Sequence, residues 1–381
     1  MSTKSNLEVT IANGPEEHDE VYRFRYRILV EHGGGRYASA DQHTKQLTDV
    51  ADKVAIHVCI RQRGHIAAAL RVIVASVEKL PAYIRRRYCL DPFTEIEGLT
   101  VSLTDYLVVD TEALDSRAAN LLMTAAFKLA CAKGSGFDFT NASTGEVAVF
   151  ERLGYRKYGV NYQDNDFGMR VPMVLPTGDI QHLVQVGSPF QRIAESSGEF
   201  ADLVQWFQRT FPDANNQVQP AAMDDKTLWA YLSRRLDQTP THRVPLLLSL
   251  DHREAMRFLK MATVIKCSAG DRIVSKGEIG NEMFVILEGS VEVNDEGQKL
   301  ARFGQGGIFG EMAYLNAEPR TADVIASEPT EVLVLTQDTM ITAMKKMPEV
   351  AARVLFNLSL ILTERLRDTS RKYVKAKKLA A

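Results

Sequence analysis

A glycine, a glutamate and an arginine within one short stretch have the residue types of an anion-binding site. Residues 309–324 read FGEMAYLNAEPRTADV, which places Gly310 before a short helical segment. Backbone N–H groups at a helix start carry partial positive charge, and Arg320 adds a guanidinium that pairs with phosphate oxygens. Glu311 adds a carboxylate that accepts a hydrogen bond from a hydroxyl. The stretch therefore predicts an anion clamp beside a hydroxyl acceptor, the combination that a cyclic phosphodiester joined to a ribose needs.

The wider pattern of this stretch, FGEMAY then LNAE then PRTA, has a familiar counterpart. It resembles the phosphate-binding cassette of the cyclic-nucleotide-binding domains in kinase A regulatory subunits and the catabolite activator protein. The surrounding SAGDRIVSKGE, FVILEGSVEV and FGQGG segments are similar to the same domain. The resemblance implies that Glu311 binds the ribose 2′-hydroxyl and Arg320 the cyclic phosphate. It also implies a cradle completed by backbone groups of Gly310, Met312, Ala313 and Thr321.

The ligand implied by this resemblance is cAMP or cGMP, acting as an allosteric effector. Thr321 is compatible with either base, and we expect cAMP. A barrel that has lost its ligand is the alternative. Such a loss usually removes the arginine or the glutamate, and both Arg320 and Glu311 are present.

A second set of charged residues lies in the N-terminal half: Arg25, Asp49, Asp52 and Arg71. An arginine, two aspartates three apart and a second arginine, in this order, resemble the acyl-homoserine-lactone synthases and N-acyl amino acid synthases. Further on, FERLGYRKYG is similar to the Tyr-Glu-(Arg/Lys)-Leu-Gly-Phe run of the wider GNAT acyltransferase superfamily. The resemblance implies that the four charged residues line the acceptor site. The alternative is that they form ion pairs at the surface.

The chemistry implied by this resemblance is attack of an amine on a thioester carbonyl, with a pantetheine arm held between two strands. The thioester is carried by coenzyme A or by acyl carrier protein. The residues implied to hold the carrier are Leu107, Val108, Val109, Asp110, Arg117 and Ala118. The loop before the helix departs from the family, because Ser116 replaces a glycine and Asp115 lies beside it. Both changes weaken a pyrophosphate cradle, so we expect acyl carrier protein, with its single phosphodiester, to be the better donor.

The acid and base of this reaction are not assigned by the sequence. The tyrosine that often precedes the Glu-(Arg/Lys)-Leu-Gly run is Phe150 here, and its side chain has no proton to donate. Polar residues near predicted strand ends or close to Phe150 are the catalytic and acceptor-pocket candidates: Thr104, Asn141, Ser143 and Tyr155.

The elements that position these residues fall into zones of different composition. In the N-terminal zone a helix over 118–133 lies between strands over 103–109 and 136–141, which predicts an α/β GNAT fold with a mixed sheet flanked by helices. In the C-terminal zone glycines punctuate short β-like runs, which predicts an all-β jelly-roll domain with flanking helices. The predicted order is an acyltransferase domain over 1–185, a helical connector over 186–240, a cyclic-nucleotide-binding domain over 241–371 and a basic tail over 372–381.

The bulk properties narrow the compartment and the partners. The net charge is −2 and too few residues follow the last helix for a helix-turn-helix, so no DNA partner is expected. The N-terminus is polar and no apolar run approaches the roughly 18 residues of a membrane span, so we expect a cytoplasmic protein. The four cysteines show no C-x-x-C pair, which favours reduced thiols, and no metal is expected.

A leucine stripe follows Pro348 in the last predicted helix. It consists of Leu355, Leu358, Leu362 and Leu366. Such a stripe packs on the core of its own domain or forms the seam of a homodimer.

The sequence thus predicts an N-acyltransferase regulated by a cyclic nucleotide, with the acyl chain and the amine acceptor unknown. One alternative is a cAMP-responsive signalling protein whose GNAT domain is catalytically inactive. Another is a cAMP-regulated protein lysine acetyltransferase, which a preference for long acyl donors would argue against.

Overall fold

The computed structural model describes residues 7–35, 37–114, 117–196, 200–316 and 318–379. The chain divides into two compact units: unit one is Met1–Gln217 and unit two is Val218–Ala381. The division lies inside the predicted connector. Trp206 packs against the core of unit one and Trp229 against the core of unit two. The two ends of the connector therefore belong to different units.

Unit one contains a mixed β-sheet. Its strands are β1 (Val9–Ile11), β2 (Ala40–Asp41), β3 (Gln46–Leu47), β4 (Ile56–Gln62), β5 (His65–Ser76), β6 (Thr100–Val109), β7 (Phe137–Ala142), β8 (Arg156–Lys157), β9 (Tyr162–Asp164) and β10 (Gly168–Pro176). The main sheet has the order β1-β4-β5-β6-β7-β10-β8, with β9 paired to β10, and β2 pairs with β3 apart from it. β6 and β7 are parallel, whereas the pairs on either side of them are antiparallel.

Local sequence explains two of these connections. Arg63 and Gly64 join β4 to β5 and have φ of 52° and 85°, as expected for a tight two-residue hairpin turn with both central residues left-handed. The parallel β6 and β7 need a longer crossover, and a helix supplies it.

The helices of unit one are α1 (Gly14–Arg25), α2 (Ala82–Arg87), α3 (Arg117–Ala132), α4 (Val147–Leu153), α5 (Ile180–Gln185), α6 (Gln191–Glu195), α7 (Ala201–Thr210) and α8 (Pro212–Asn215). The crossover helix is α3, which packs against β4, β5 and β6. The helix predicted over 118–133 is thus displaced by one residue. The opposite face of the sheet is covered by an aromatic cluster that includes Phe93, Phe137 and Phe139.

Unit two contains two four-stranded antiparallel sheets. Its strands are β11 (Thr263–Cys267), β12 (Arg272–Val274), β13 (Glu282–Glu288), β14 (Val291–Asp295), β15 (Gln298–Phe303), β16 (Ile308–Phe309), β17 (Asp323–Ala326) and β18 (Thr330–Thr336). One sheet has the order β11-β18-β13-β16 and the other β12-β17-β14-β15. The flanking helices are α9 (Asp225–Arg235), α10 (Pro240–Arg243), α11 (His252–Leu259), α12 (Glu311–Asn316), α13 (Gln337–Lys346) and α14 (Pro348–Leu379). The predicted jelly roll with flanking helices is confirmed.

The helix α14 shows how the leucine stripe is used. Leu358 is fully buried, and Leu355 and Leu362 are partly buried against the same core of unit two. Leu366, in contrast, is 68% exposed. Three of the four leucines therefore pack within unit two. The segment predicted as a basic tail continues this helix as far as Leu379.

Within the described part of the chain, no helix is both long and apolar enough to cross a membrane.

Candidate functional site

The turn between β16 and α12 in unit two can be occupied only by a residue without a side chain. Gly310 has φ of +81°, which L-residues rarely adopt. A Cβ at this position would lie 2.9 Å from Arg320 Nη1 and 3.1 Å from the carbonyl oxygen of Glu282. The glycine therefore lets the arginine approach the start of α12.

Arg320 is buried, and its guanidinium is held by fixed partners. Its Nη1 donates to the carbonyl oxygen of Gly310 at 2.8 Å, and its Nη2 donates to the carbonyl oxygen of Glu282 at 2.9 Å. Nη2 also lies 3.3 Å from Glu282 Oε1. A guanidinium has five N–H donors, so these two carbonyl contacts orient the group and leave donors for an anion. Glu282 was not identified from the sequence, because it lies on β13, 38 residues away.

Glu311 is also buried, and it is paired with a residue of the last helix. Arg365 Nη1 on α14 lies 2.6 Å from Glu311 Oε1. The same guanidinium donates through Nη2 to the carbonyl oxygen of Ile308 and lies 4.7 Å from the centre of the Phe303 ring. The carboxylate predicted to bind a ribose hydroxyl is therefore shared with α14. Arg365 was not identified from the sequence.

The remaining predicted residues of the cradle are close in sequence to Glu311 and Arg320. Ala313 is buried, whereas Met312 and Thr321 are exposed. The six predicted nucleotide-site residues thus lie in or next to the segment from Gly310 to Thr321, which spans α12 and the approach to β17.

In unit one, the four predicted acceptor-site residues meet in one buried network. Arg25 Nη1, at the end of α1, lies 2.9 Å from Asp52 Oδ1. Arg71 Nη1, on β5, lies 2.6 Å from Asp49 Oδ1 and 3.2 Å from Asp52 Oδ1. The two aspartates cap a short 3₁₀ turn that spans residues 50–54. Arg25, Arg71 and Asp52 are almost fully buried, so the surface-pair interpretation is wrong for this set.

Sequence reasoning missed four members of this network. Asp105 on β6 accepts from Arg71 Nε at 2.7 Å and from Arg71 Nη2 at 2.8 Å, and Tyr88 also donates to it. The Tyr106 ring contacts both guanidinium groups, with its centre 4.4 Å from that of Arg25 and 4.6 Å from that of Arg71. His57 Nδ1 lies 3.1 Å from Arg25 Nη2. The hydrogen-bonded pairs among them are 17 to 34 positions apart, and Tyr106 is still further from both arginines, so spacing along the chain gives no signal.

Burial and charge together set the protonation states in this network. Burial raises the pKa of Asp52, but Arg25 and Arg71 outweigh it and lower that pKa to about 2. Burial lowers the pKa of His57 to about 3, and the neighbouring Arg25 contributes to the decrease. The aspartates Asp52 and Asp105 are therefore ionised at neutral pH, and His57 is neutral.

The parallel strands β6 and β7 separate before they end. Their pairing covers Val101 to Leu103 on β6 and Phe137 to Phe139 on β7. β6 continues to Val109 and β7 to Ala142, and no further pair between these two described strands is formed. Tyr106 has φ of +49°, and the pairing with β5 is irregular there. This is a β-bulge, which turns the end of β6 and often lies next to an active site.

The predicted carrier-binding residues line the far part of β6 and the start of α3. Val108 and Val109 pair with β5, and the Asp110 N–H donates to the carbonyl oxygen of Ala67 at 2.9 Å. Leu107 lies on β6 beside the bulge, Arg117 begins α3 and Ala118 is fully buried. Asp115 and Ser116 lie outside the described residues.

Two of the catalytic candidates converge on an aspartate that the sequence did not single out. Tyr155 donates to Asp138 Oδ2 at 2.6 Å, and Thr104 and Ser102 donate to Asp138 Oδ1 at 3.0 and 2.7 Å. Burial raises the pKa of Asp138 to about 6, despite hydrogen bonds from Tyr155 and Ser102 that lower it. Tyr155 itself is fully buried and packs on Phe150. These hydroxyls therefore stabilise the β6–β7 junction within the core.

The other two candidates lie at the end of β7. Ser143 donates through Oγ, and through its backbone N–H, to Glu146 Oε2 at 2.8 Å. Asn141 is buried on the strand, two residues beyond the last pair with β6. Both residues therefore lie beyond the last pair between β6 and β7.

Comparison with known proteins supports a cyclic nucleotide-binding domain in unit two. Residues 264–347 match the family model described as a cyclic nucleotide-binding domain. Glutaminase 2 of Bradyrhizobium diazoefficiens is 37% identical over 122 residues, which cover 32% of this chain and 19% of that protein. The cAMP-dependent protein kinase regulatory subunit of Yarrowia lipolytica is 32% identical over 81 residues, which cover 21% of this chain and 22% of that protein.

A solved cyclic nucleotide-binding domain from Methylobacillus flagellatus is 28% identical, with a TM-score of 0.34; the match covers 38% of this chain and 82% of that one. The chain spans only about a fifth of the length of the two curated relatives. Residues 264–347 of unit two form a cyclic nucleotide-binding domain.

Proposed function

We propose that this protein is an N-acyltransferase whose activity is regulated by cAMP bound to unit two. The acyl group would move from a pantetheine thioester, carried by acyl carrier protein or coenzyme A, to an amine. The observation that carries the catalytic half of the proposal is the separation of β6 from β7 beyond Leu103 and Phe139. Two parallel strands that diverge offer backbone N–H and C=O groups to an extended chain lying between them.

The proposal that unit two binds a nucleotide rests on two residues, Arg320 and Glu311. The guanidinium of Arg320 is oriented by two backbone carbonyls. The buried carboxylate of Glu311 is paired with Arg365 of α14. cAMP is the proposed ligand because one of the related proteins is named as a cAMP-dependent kinase regulatory subunit. Thr321 is exposed beside Arg320, where its hydroxyl can serve the phosphate.

The acyl carrier would approach the gap with its pantetheine arm extended. Backbone groups of residues 107–110 would hydrogen-bond the arm on the β6 side, and the bulge at Tyr106 would turn the strand away from β7. During transfer a C–N bond forms and the C–S bond breaks. The amine loses a proton, and the departing thiolate gains one.

The charge of the buried network favours an amine as acceptor. Three carboxylates, Asp49, Asp52 and Asp105, surround two guanidinium groups, and the nearby imidazole is neutral because burial lowers the pKa of His57 to about 3. The network of three carboxylates and two guanidinium groups therefore has a net charge of about −1. Asp49 is the most exposed of the three, with 23% of its side chain accessible, so a cationic amine can reach it. An ammonium group near Asp49 would balance the network.

Regulation would act through the carboxylate that two groups share. The ribose hydroxyl and Arg365 both use Glu311, so a bound nucleotide changes how firmly α14 is held to the cassette. A ligand with different affinities for two arrangements of α14 shifts the balance between them. Arg365→Gln keeps hydrogen-bonding capacity but removes the charge. It should weaken the effect of cAMP on amide exchange in α14, whereas Arg367→Gln, two residues along the same helix, should not.

The experiment that tests the proposed function is a product search with purified full-length protein. Mixtures of amines would be incubated with long-chain acyl carrier protein or acyl-CoA, with and without cAMP, and acylated products identified by mass spectrometry. We expect a product whose yield depends on cAMP, and we expect Arg320→Lys to need a roughly ten- to 150-fold higher cAMP concentration for the same effect. Absence of any acylated product with either donor would refute the catalytic half, and faster turnover with acyl-CoA would refute the donor preference.

A second function is favoured by one observation. The position of the usual tyrosine is held by Phe150, and the nearby Tyr155 hydroxyl is buried and donates to Asp138. Neither side chain can protonate a departing thiolate. If nucleotide binding is strong and no product forms, unit one is an inactive acyltransferase fold within a cAMP-responsive signalling protein.

A further inference from the structure

Asn141 has an amide that is buried without a protein partner. The residue is 9% exposed, and neither Oδ1 nor Nδ2 is hydrogen-bonded among the described residues. Its backbone is used in a different way, since its carbonyl oxygen accepts from Arg170 Nη1 at 3.4 Å. Buried polar groups are nearly always paired, because a buried group without a partner keeps the cost of leaving water. An apolar side chain of similar size would avoid this cost, so the amide does not stabilise the fold through a hydrogen bond of its own.

The position of Asn141 indicates what it can meet. It follows Phe139, the last residue of β7 paired with β6, by two places, and alternation puts both side chains on the same face of the sheet. On the neighbouring β10, the guanidinium of Arg170 lies 4.9 Å from the Phe167 ring, which contacts Tyr106 at 5.4 Å between ring centres. Asn141 therefore lies just beyond the last pair between β6 and β7, and its neighbour Arg170 is linked through Phe167 to the bulge at Tyr106.

We infer that Asn141 is a specificity-determining residue that pairs with an amide of the pantetheine arm. This inference rests on the proposed function. Pantetheine contains secondary amides, each with one N–H donor and one C=O acceptor. The asparagine side chain offers the complement, because Oδ1 accepts and Nδ2 donates. Recognition of an amide uses both a donor and an acceptor. A side chain that only excluded other ligands by its size would need neither group.

The test measures ligand affinity and thermal stability in the same variants. Full-length protein would be titrated with 4′-phosphopantetheine by calorimetry, using Asn141→Leu, which is apolar, and Asn141→Asp, which keeps the shape but loses the donor group. Asn120→Leu, at an exposed position of α3, is the matched control. The melting of unit one would be followed by the fluorescence of Trp206 in a Trp229→Phe background, since the chain has two tryptophans and each unit contains one.

We expect Asn141→Leu to weaken 4′-phosphopantetheine binding by at least about tenfold, and its ligand-free melting temperature to stay equal or rise. Asn141→Asp should also bind more weakly, and Asn120→Leu should bind as the parent does. Unchanged affinity in both Asn141 variants would overturn the inference. So would a lower melting temperature in Asn141→Leu, because that is the result of removing a structural amide. If the parent protein does not bind 4′-phosphopantetheine at all, the proposed function fails and the inference fails with it.

Discussion

Asp138 lies at the junction of β6 and β7, and its burial makes a measurable prediction about pH. Burial raises the pKa of this carboxyl from 3.8 to about 6. Because the folded pKa is above the unfolded one, the folded state keeps a proton that the unfolded state has released. The contribution of Asp138 to the free energy of unfolding of unit one should therefore be complete below about pH 4. It should decrease as the pH rises through 6.

The size of this effect follows from the two pKa values. A tenfold change in proton affinity is worth about 1.4 kcal/mol, so the difference between 3.8 and about 6 is worth about 3 kcal/mol in total. About 1.4 kcal/mol of it falls between pH 5 and pH 7.5. Asp138→Asn removes the titrating group but keeps an acceptor for the hydroxyls of Tyr155 and Thr104. The variant should lose this part of the pH dependence.

The assay is urea unfolding at pH 5 and pH 7.5, followed by Trp206 fluorescence in the Trp229→Phe background. The quantity of interest is the difference in pH dependence between Asp138→Asn and its parent, which cancels contributions from other titrating groups. Asp202→Asn, at an exposed position of α7, controls for loss of a carboxylate as such. If Asp138→Asn and the parent show the same pH dependence, the carboxyl does not titrate as its burial requires, and the argument is refuted.

Three further changes test other parts of the structure. Arg320→Lys should weaken cAMP binding in calorimetry by about 1.5–3 kcal/mol, roughly ten- to 150-fold, because an ammonium cannot reproduce the oriented fork. His57→Gln should make unit one less sensitive to acid: burial lowers the pKa of the histidine from 6.5 to about 3, so the parent loses about 2 kcal/mol of unfolding free energy between pH 7 and pH 5. Leu358→Ala should destabilise unit two by about 2–5 kcal/mol in urea unfolding, whereas Leu366→Ala should have little effect.

Each of these expectations has a contrary outcome. Equal cAMP affinity in Arg320→Lys would mean that the arginine does not contact the phosphate. An unaltered acid response in His57→Gln would place the acid-sensitive group elsewhere in unit one. A large loss of stability in Leu366→Ala, with none in Leu358→Ala, would mean that the exposed side of α14 is covered by another surface.

The sequence was sufficient to identify the cyclic nucleotide-binding domain because the residues of its candidate site are close together along the chain. Gly310, Glu311 and Arg320 lie within one short segment of the sequence. Their relative positions therefore depend mainly on local backbone geometry, such as the turn at Gly310. The same is true of the crossover helix, predicted over 118–133 and observed as Arg117–Ala132. Its apolar pattern and the glycine that follows it are local signals.

Only the tertiary structure decided which residues surround these motifs. Glu311 is paired with Arg365, 54 residues away, and Asp138 collects hydroxyls from positions 17 to 36 residues away. Such contacts depend on how helices pack and on the register of strands, where a shift of one residue moves every side chain to the other face. The leucine stripe of α14 allowed two interpretations for the same reason, since periodicity does not reveal which surface covers an apolar face.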